Sequence, residues 1–279
     1  MTTRRNFLIL GGGAAAAAAL PLAALAAEPL RVSFIPEVAT TSDSIAAKQP
    51  FVEYLSRAVG RPVKLIIPTN YAAVVEALGN GSLDVAHFGA LTYVKARLRY
   101  GAIPIVQRAE DRRFHSLFIT ADPKITSLKD VAGKTFAFGD VNSTSGHLIP
   151  AADLIAAGID PDHGITARFT GNHTNTAIAV NAGQVAAGAI DESVYRKLVD
   201  DKTIDGTKTR VFHTSAPFID YVWAGRKDLG DATISAVRKA FVECKDPAVL
   251  GVLRASSYVP ADDREYDGVR ATAKKLDLL

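Results

Sequence analysis

The stretch 30–36 alternates apolar and polar residues and stops at Pro36, which predicts a first strand. Apolar residues Phe51, Val52, Leu55 and Val59 then fall on one face of a helix over 49–59 that ends at Gly60. A second strand is predicted at 63–67, a helix opened by Asn70-Tyr71 over 72–78, a short buried strand at 84–89 and a helix over 91–99. Strands alternating with helices at this spacing mean βαβ units and a mainly parallel sheet.

The rhythm repeats further on. Strands are predicted at 115–120, 134–138, 166–169 and 186–191, with a short helix at 127–134 and longer ones from the end of the 139–146 turn to about 157 and over 173–182. Asn80-Gly81-Ser82-Leu83-Asp84-Val85-Ala86 and Asn181-Ala182-Gly183-Gln184-Val185-Ala186-Ala187 are both a helix end, a glycine turn and a short strand. Residues 217–224 form a further strand, and helices occupy 231–243 and 265–275. The pattern predicts two α/β lobes of similar construction, 28–115 with 218–279 forming one and 116–217 the other. The chain crosses between them twice, and ligands of open α/β sheets bind beyond the carboxyl ends of the strands.

One turn carries most of the candidate chemistry. In Gly139-Asp140-Val141-Asn142-Ser143-Thr144-Ser145-Gly146-His147, three hydroxyl residues sit between a strand and a helix. The first turn of a helix has unsatisfied N–H donors and a partial positive charge, and the hydroxyls add donors that fit an anion. An ordinary N-cap would use the same residue types.

Composition narrows the classes. The apolar fraction of 48% with 22% charged residues is that of a globular chain. Residues 1–27 read as an export signal: Arg4-Arg5 before Phe7-Leu8 resembles the twin-arginine type, an Ala/Gly/Leu run follows, and small residues place cleavage near Ala26 or Ala27. Removing Arg4 and Arg5 from 32 basic and 29 acidic residues leaves 30 against 29, a net charge of +1. That balance gives no electrostatic case for nucleic acid. The single cysteine, Cys244, excludes an internal disulfide and reads as a buried structural thiol. No Gly-x-Ser-x-Gly elbow, His-Glu-x-x-His motif or Cys/His cluster is present, so neither an enzyme nor a metal site is expected.

The motif at 139–146 with Pro150, the run Gly171-Asn172-His173-Thr174-Asn175-Thr176-Ala177, then Asn181-Ala182-Gly183-Gln184-Val185 and Asp191, resemble the phosphate, phosphite and phosphonate substrate-binding proteins of bacterial ABC transporters. Ser82-Leu83-Asp84-Val85-Ala86-His87-Phe88-Gly89, Tyr93 and Tyr258-Val259-Pro260 extend the resemblance over the whole mature chain in order. It implies a type II periplasmic-binding fold, two α/β lobes with mainly parallel sheets on a two-strand hinge, in a monomeric periplasmic protein. It also implies a small phosphorus oxyanion as ligand, no cofactor, and a membrane permease with its ATPase as partner.

The contacts so implied are Ser143, Thr144 and Ser145, then His173, with Tyr71 from the first lobe and Asp191 facing the ligand. A carboxylate suits a singly protonated oxyanion, whose O–H it accepts, or an ammonium substituent. Tyr93 and His115 are further candidates, set against packing on a helix face and on the hinge strand, and Glu37 can meet a ligand amine. His87-Phe88 and Phe114-His115 depart from the family's usual aromatics, which implies a different substituent pocket. Other roles for the same residues are a sensor for a membrane kinase, a receptor for another anion such as a sulfonate, or an exported hydrolase.

Overall fold

The computed structural model describes residues 28–36, 38 and 42–279; the expected export signal and Glu37 lie outside the described residues. The first part of the chain forms β1 (Leu30–Phe34), α1 (Ser42–Ala46), α2 (Gln49–Val59), β2 (Val63–Leu65), α3 (Tyr71–Gly79), β3 (Val85–Phe88), α4 (Ala90–Tyr100) and β4 (Ile103–Arg108). The middle forms β5 (Ser116–Thr120), β6 (Thr135–Phe138), α5 (Ile149–Ala156), β7 (Thr166–Phe169), α6 (His173–Asn181), β8 (Ala187–Asp191), α7 (Glu192–Asp200) and β9 (Arg210–Thr214). The last part forms β10 (Val222–Gly225), α8 (Asp231–Val242), α9 (Pro247–Val252), β11 (Tyr258–Pro260) and α10 (Asp267–Lys275).

These strands build two sheets. The first runs β11-β4-β10-β3-β1-β2 and the second β7-β6-β8-β5-β9. The βαβ halves are parallel as the sequence predicts: β1 with β2 and β3, and β6 with β7 and β8. The sheets as wholes are mixed and not mainly parallel, because β10 lies antiparallel to β3 and β4, β11 to β4, and β5 to β8 and β9. A strand that enters its sheet directly from the other lobe arrives without the helical crossover that parallel pairing requires. The short helix expected at 127–134 is a single 3-10 turn, Leu128–Val131.

Local signals explain the helix ends nearest the cleft. Asn70 caps α3 by accepting the Ala73 N–H at 2.8 Å, and α4 stops at Gly101, whose φ of 73° suits a residue without a Cβ. Apolar clusters cover both faces of each sheet: Phe51, Trp223 and Phe241 on one side of the first, Tyr71, Phe88 and Tyr266 on the other. The second sheet is packed by Phe118 and Phe136 on one face and by Val180 and Ile190 on the other. Cys244 is buried among the first of these clusters, as its sequence setting predicts.

The two crossings lie side by side. The Phe114 N–H donates to Phe218 O at 2.8 Å and the Phe218 N–H returns to Phe114 O at 2.9 Å, a single antiparallel bridge between the lobes. Beside it a fully buried ion pair joins Arg108 to Asp111 at 2.6 Å, and the guanidinium lies 5.0 Å from the Tyr221 ring centroid. Paired and hydrogen-bonded in this way, a buried charge is tolerated at the pivot.

Candidate anion-binding site

Beyond β6 the chain does not enter α5 directly. Residues Thr144–Leu148 form a π-helical turn, the wide form that recurs at functional sites. All three hydroxyl residues are buried and each has a different environment. Ser143 Oγ accepts the Gly146 N–H at 3.0 Å, the N-cap anticipated from the sequence. Thr144 Oγ1 accepts the Leu91 N–H at 3.0 Å, reaching the first turn of α4 in the opposite lobe. Ser145 Oγ is buried and makes no hydrogen bond to a described residue.

Gly146 and His173 are fitted to one another. A Cβ at Gly146 would lie 2.9 Å from His173 Cε1 and 2.9 Å from Ser143 Oγ, so only glycine lets the ring approach. His173, the first residue of α6, is fully buried, and its Nδ1 accepts the Asp191 N–H at 3.3 Å. A neutral imidazole accepting at Nδ1 carries its proton on Nε2, which makes that nitrogen a donor.

Asp191 ends β8, and both of its carboxylate oxygens accept hydrogen bonds within the protein. Its Oδ1 accepts Ser193 Oγ at 2.7 Å and the Val194 N–H at 2.8 Å, capping α7, and its Oδ2 accepts the Tyr221 hydroxyl at 2.6 Å. Tyr71 begins α3 and is buried in the cluster that also holds Leu148, Phe114 and Tyr221.

Two predicted residues are committed elsewhere. The Tyr93 hydroxyl donates to Asp263 Oδ1 at 2.6 Å and its ring packs edge-on against Tyr266 at 4.8 Å. Burial and Asp263 both push its phenol well above the usual range. His115 Nδ1 lies 3.3 Å from Glu192 Oε1, a hydrogen-bond contact at the crossing.

The residue that sequence reasoning missed is Asp220, on the second crossing segment. Its Oδ1 accepts the Ala90 N–H, the first of α4, at 3.0 Å, while its Oδ2 is buried without a hydrogen bond to a described residue. Burial pushes this carboxyl up to about 8, and the neighbouring Asp191 and Asp111 add to the rise against the pull of the Ala90 and Thr144 hydrogen bonds. Gly89 eases the approach, since a Cβ there would crowd Thr144 Oγ1 at 3.1 Å and Asp220 Oδ1 at 3.3 Å. The signal available in the sequence was an acidic residue inside the apolar run Phe218-Ile219-Asp220-Tyr221-Val222.

The site therefore combines two helix N-termini, α4 and α6, with hydroxyl, imidazole and carboxyl groups, a set able to surround an oxyanion and manage one proton. Nearby, His87 stacks on Tyr221 with centroids 5.0 Å apart and planes 8° from parallel. It also lines a cavity of about 30 Å³ together with Ile35, Ile67 and Tyr258.

Known proteins resemble this chain in sequence and fold. The profile of a family described as "ABC transporter, phosphonate, periplasmic substrate-binding protein" matches residues 34–266. The chain is 28% identical over 246 residues to a probable ABC transporter phosphite-binding protein of Prochlorococcus marinus, covering 81% of this chain and 83% of the relative. It is 28% identical over 271 residues to a phosphate-import protein of Mycolicibacterium smegmatis, covering 87% and 84%. A solved structure of the Prochlorococcus marinus protein in complex with methylphosphonate superposes with a TM-score of 0.82 at 28% identity, covering 90% of this chain and 98% of that one.

Proposed function

The chain belongs to the periplasmic substrate-binding proteins of phosphonate ABC transporters, and on that premise we propose that residues 143–145, His173 and Asp220 hold the ligand, a small phosphorus oxyanion. One observation carries the assignment. Ser145 Oγ and Asp220 Oδ2 are buried polar atoms with no hydrogen bond to a described residue, whereas such atoms are normally satisfied. Thr144 Oγ1 lies beside Asp220, so the donor and the proton-carrying carboxyl belong to one locale.

An oxyanion with one titratable proton matches that pair. Ser145 and the Nε2–H of His173 donate to phosphorus oxygens, and Asp220 exchanges a hydrogen bond with the ligand's O–H. Tyr71 and Asp191 support the site in this reading, Asp191 by fixing α7 and Tyr221. Phosphite and methylphosphonate, the ligands named for the similar Prochlorococcus marinus protein above, are the proposed ligands. Closure about the Phe114 and Phe218 crossings traps the ligand for delivery to a permease with its ATPase. The leader at 1–27 exports the chain by the twin-arginine route, with cleavage near Ala26 or Ala27.

Titration calorimetry against phosphite, methylphosphonate, 2-aminoethylphosphonate, phosphate, sulfate and methanesulfonate tests this. Phosphite and methylphosphonate should bind more tightly than 2-aminoethylphosphonate and both sulfur anions. The absence of heat with every phosphorus anion would sink the reading.

A further inference from the structure

We propose that Lys95 and Asn142 form a latch between the lobes that sets the rate of ligand release. Lys95 lies on α4, and its Nζ donates to Asn142 Oδ1 at 2.7 Å, where both side chains are half-buried. Asn142 immediately precedes the three hydroxyl residues. Its own N–H is held by Asp140 Oδ1 at 2.7 Å, and the Ser143 N–H by Asp140 O at 2.9 Å, so this loop has little freedom to follow a moving partner.

Position along the helix gives the contact its leverage. Lys95 is four residues beyond Leu91, whose N–H donates to Thr144 Oγ1, so the two contacts lie one turn apart on the same face of α4. Both end on the same loop of the other lobe. Opening the cleft separates α4 from this loop and has to break both. The Thr144 contact belongs to the binding site, whereas Lys95 and Asn142 act outside it, as positioning residues. Partial burial lowers the Lys95 ammonium from its usual range, with Arg99 adding to the fall, and the nearby Asp140 opposes it. A charge-assisted bond shielded from water resists breaking more than a surface pair does.

The inference rests on the cleft binding and closing on an anion. Stopped-flow displacement of phosphite or methylphosphonate, read through the fluorescence of the single buried tryptophan Trp223, tests it in the exported protein. Lys95→Met and Asn142→Ala should each raise the dissociation rate about tenfold, with the association rate changed by less than about twofold. The double variant should be no faster than either single one, and Lys95→Arg should restore most of the slow release. Unchanged dissociation in Lys95→Met, or full additivity of the two single variants, overturns the latch. If the wild-type protein binds neither anion, the proposed ligand class fails on its own. The latch is then decided by small-angle scattering of the ligand-free proteins, where Lys95→Met should be more expanded than wild type and an identical profile refutes it.

Discussion

Tyr221 and Asp191 join the two lobes through one hydrogen bond of 2.6 Å, from the hydroxyl just before β10 to Oδ2 at the end of β8. The same carboxylate caps α7, and the same ring touches the Arg108 guanidinium and the His87 imidazole. A crossing residue, a helix start and a pocket wall are thereby fixed together.

Replacing Tyr221 with phenylalanine keeps the ring contacts and removes the donor from a buried carboxylate. A hydrogen bond to a charged group contributes about 1.5–3 kcal/mol, and that is the expected loss in unfolding free energy from denaturant titration. A variant within about 0.5 kcal/mol of wild type, the range of neutral surface changes, would show that Asp191 does not depend on this bond.

The neighbouring serines should separate stability from binding. Ser143→Ala loses the N-cap on Gly146 and should cost about 1 kcal/mol of stability. Ser145→Ala removes a hydroxyl that bonds to no described residue, so its melting temperature should stay near that of wild type. Its affinity for methylphosphonate should fall about tenfold or more, measured by calorimetry. Wild-type affinity in Ser145→Ala would remove that residue from the site.

Asp220 makes stability depend on pH with a definite sign. Its folded carboxyl is pushed up to about 8, whereas an unfolded aspartate ionises near about 3.9. Between those values the folded protein holds the extra proton, so this group lowers stability as pH rises from about 4 to about 8. Asp220→Asn keeps an acceptor for the Ala90 N–H and removes the titration. Urea unfolding at pH 5 and pH 8 should show a smaller drop in the variant than in wild type, and equal drops would contradict the burial argument.

Much of the fold was legible because its signals are local. The alternation at 30–36, the one-sided apolar pattern at 49–59 and the glycines that end helices act within a few residues, and they predicted β1, α2 and the two-lobed plan. Several of the elements that escaped lack such signals, although α7, capped by Asp191 with Val194 and Leu198 on its buried face, does carry them. Strand β9 is only partly buried, α9 spans six residues, and β11 exists because Tyr258 pairs with Arg108, 150 positions earlier. Strand direction escaped for the same reason, since β10 takes its sense from the crossing and not from its own composition.

The site divides along the same line. Residues 143–145, Gly146 and His173 announced themselves by residue type at a strand-to-helix turn, and the fold brings them together. Tyr93 carried an equally plausible side chain, and a partner on the late 3-10 turn, Asp263, claimed its hydroxyl. Asp191 stood at the end of an apolar run and Asp220 inside one, and their sequences alone gave no means of ranking them. Tertiary packing separated them: Tyr221 and the start of α7 satisfy Asp191, whereas Asp220 reaches the α4 N-terminus with one oxygen and keeps the other buried without a bond to a described residue. Local sequence determines which atoms can donate, accept or cap. Which of them remain available to a ligand depends on hydrogen bonds between residues far apart in the chain, and only the folded structure makes those.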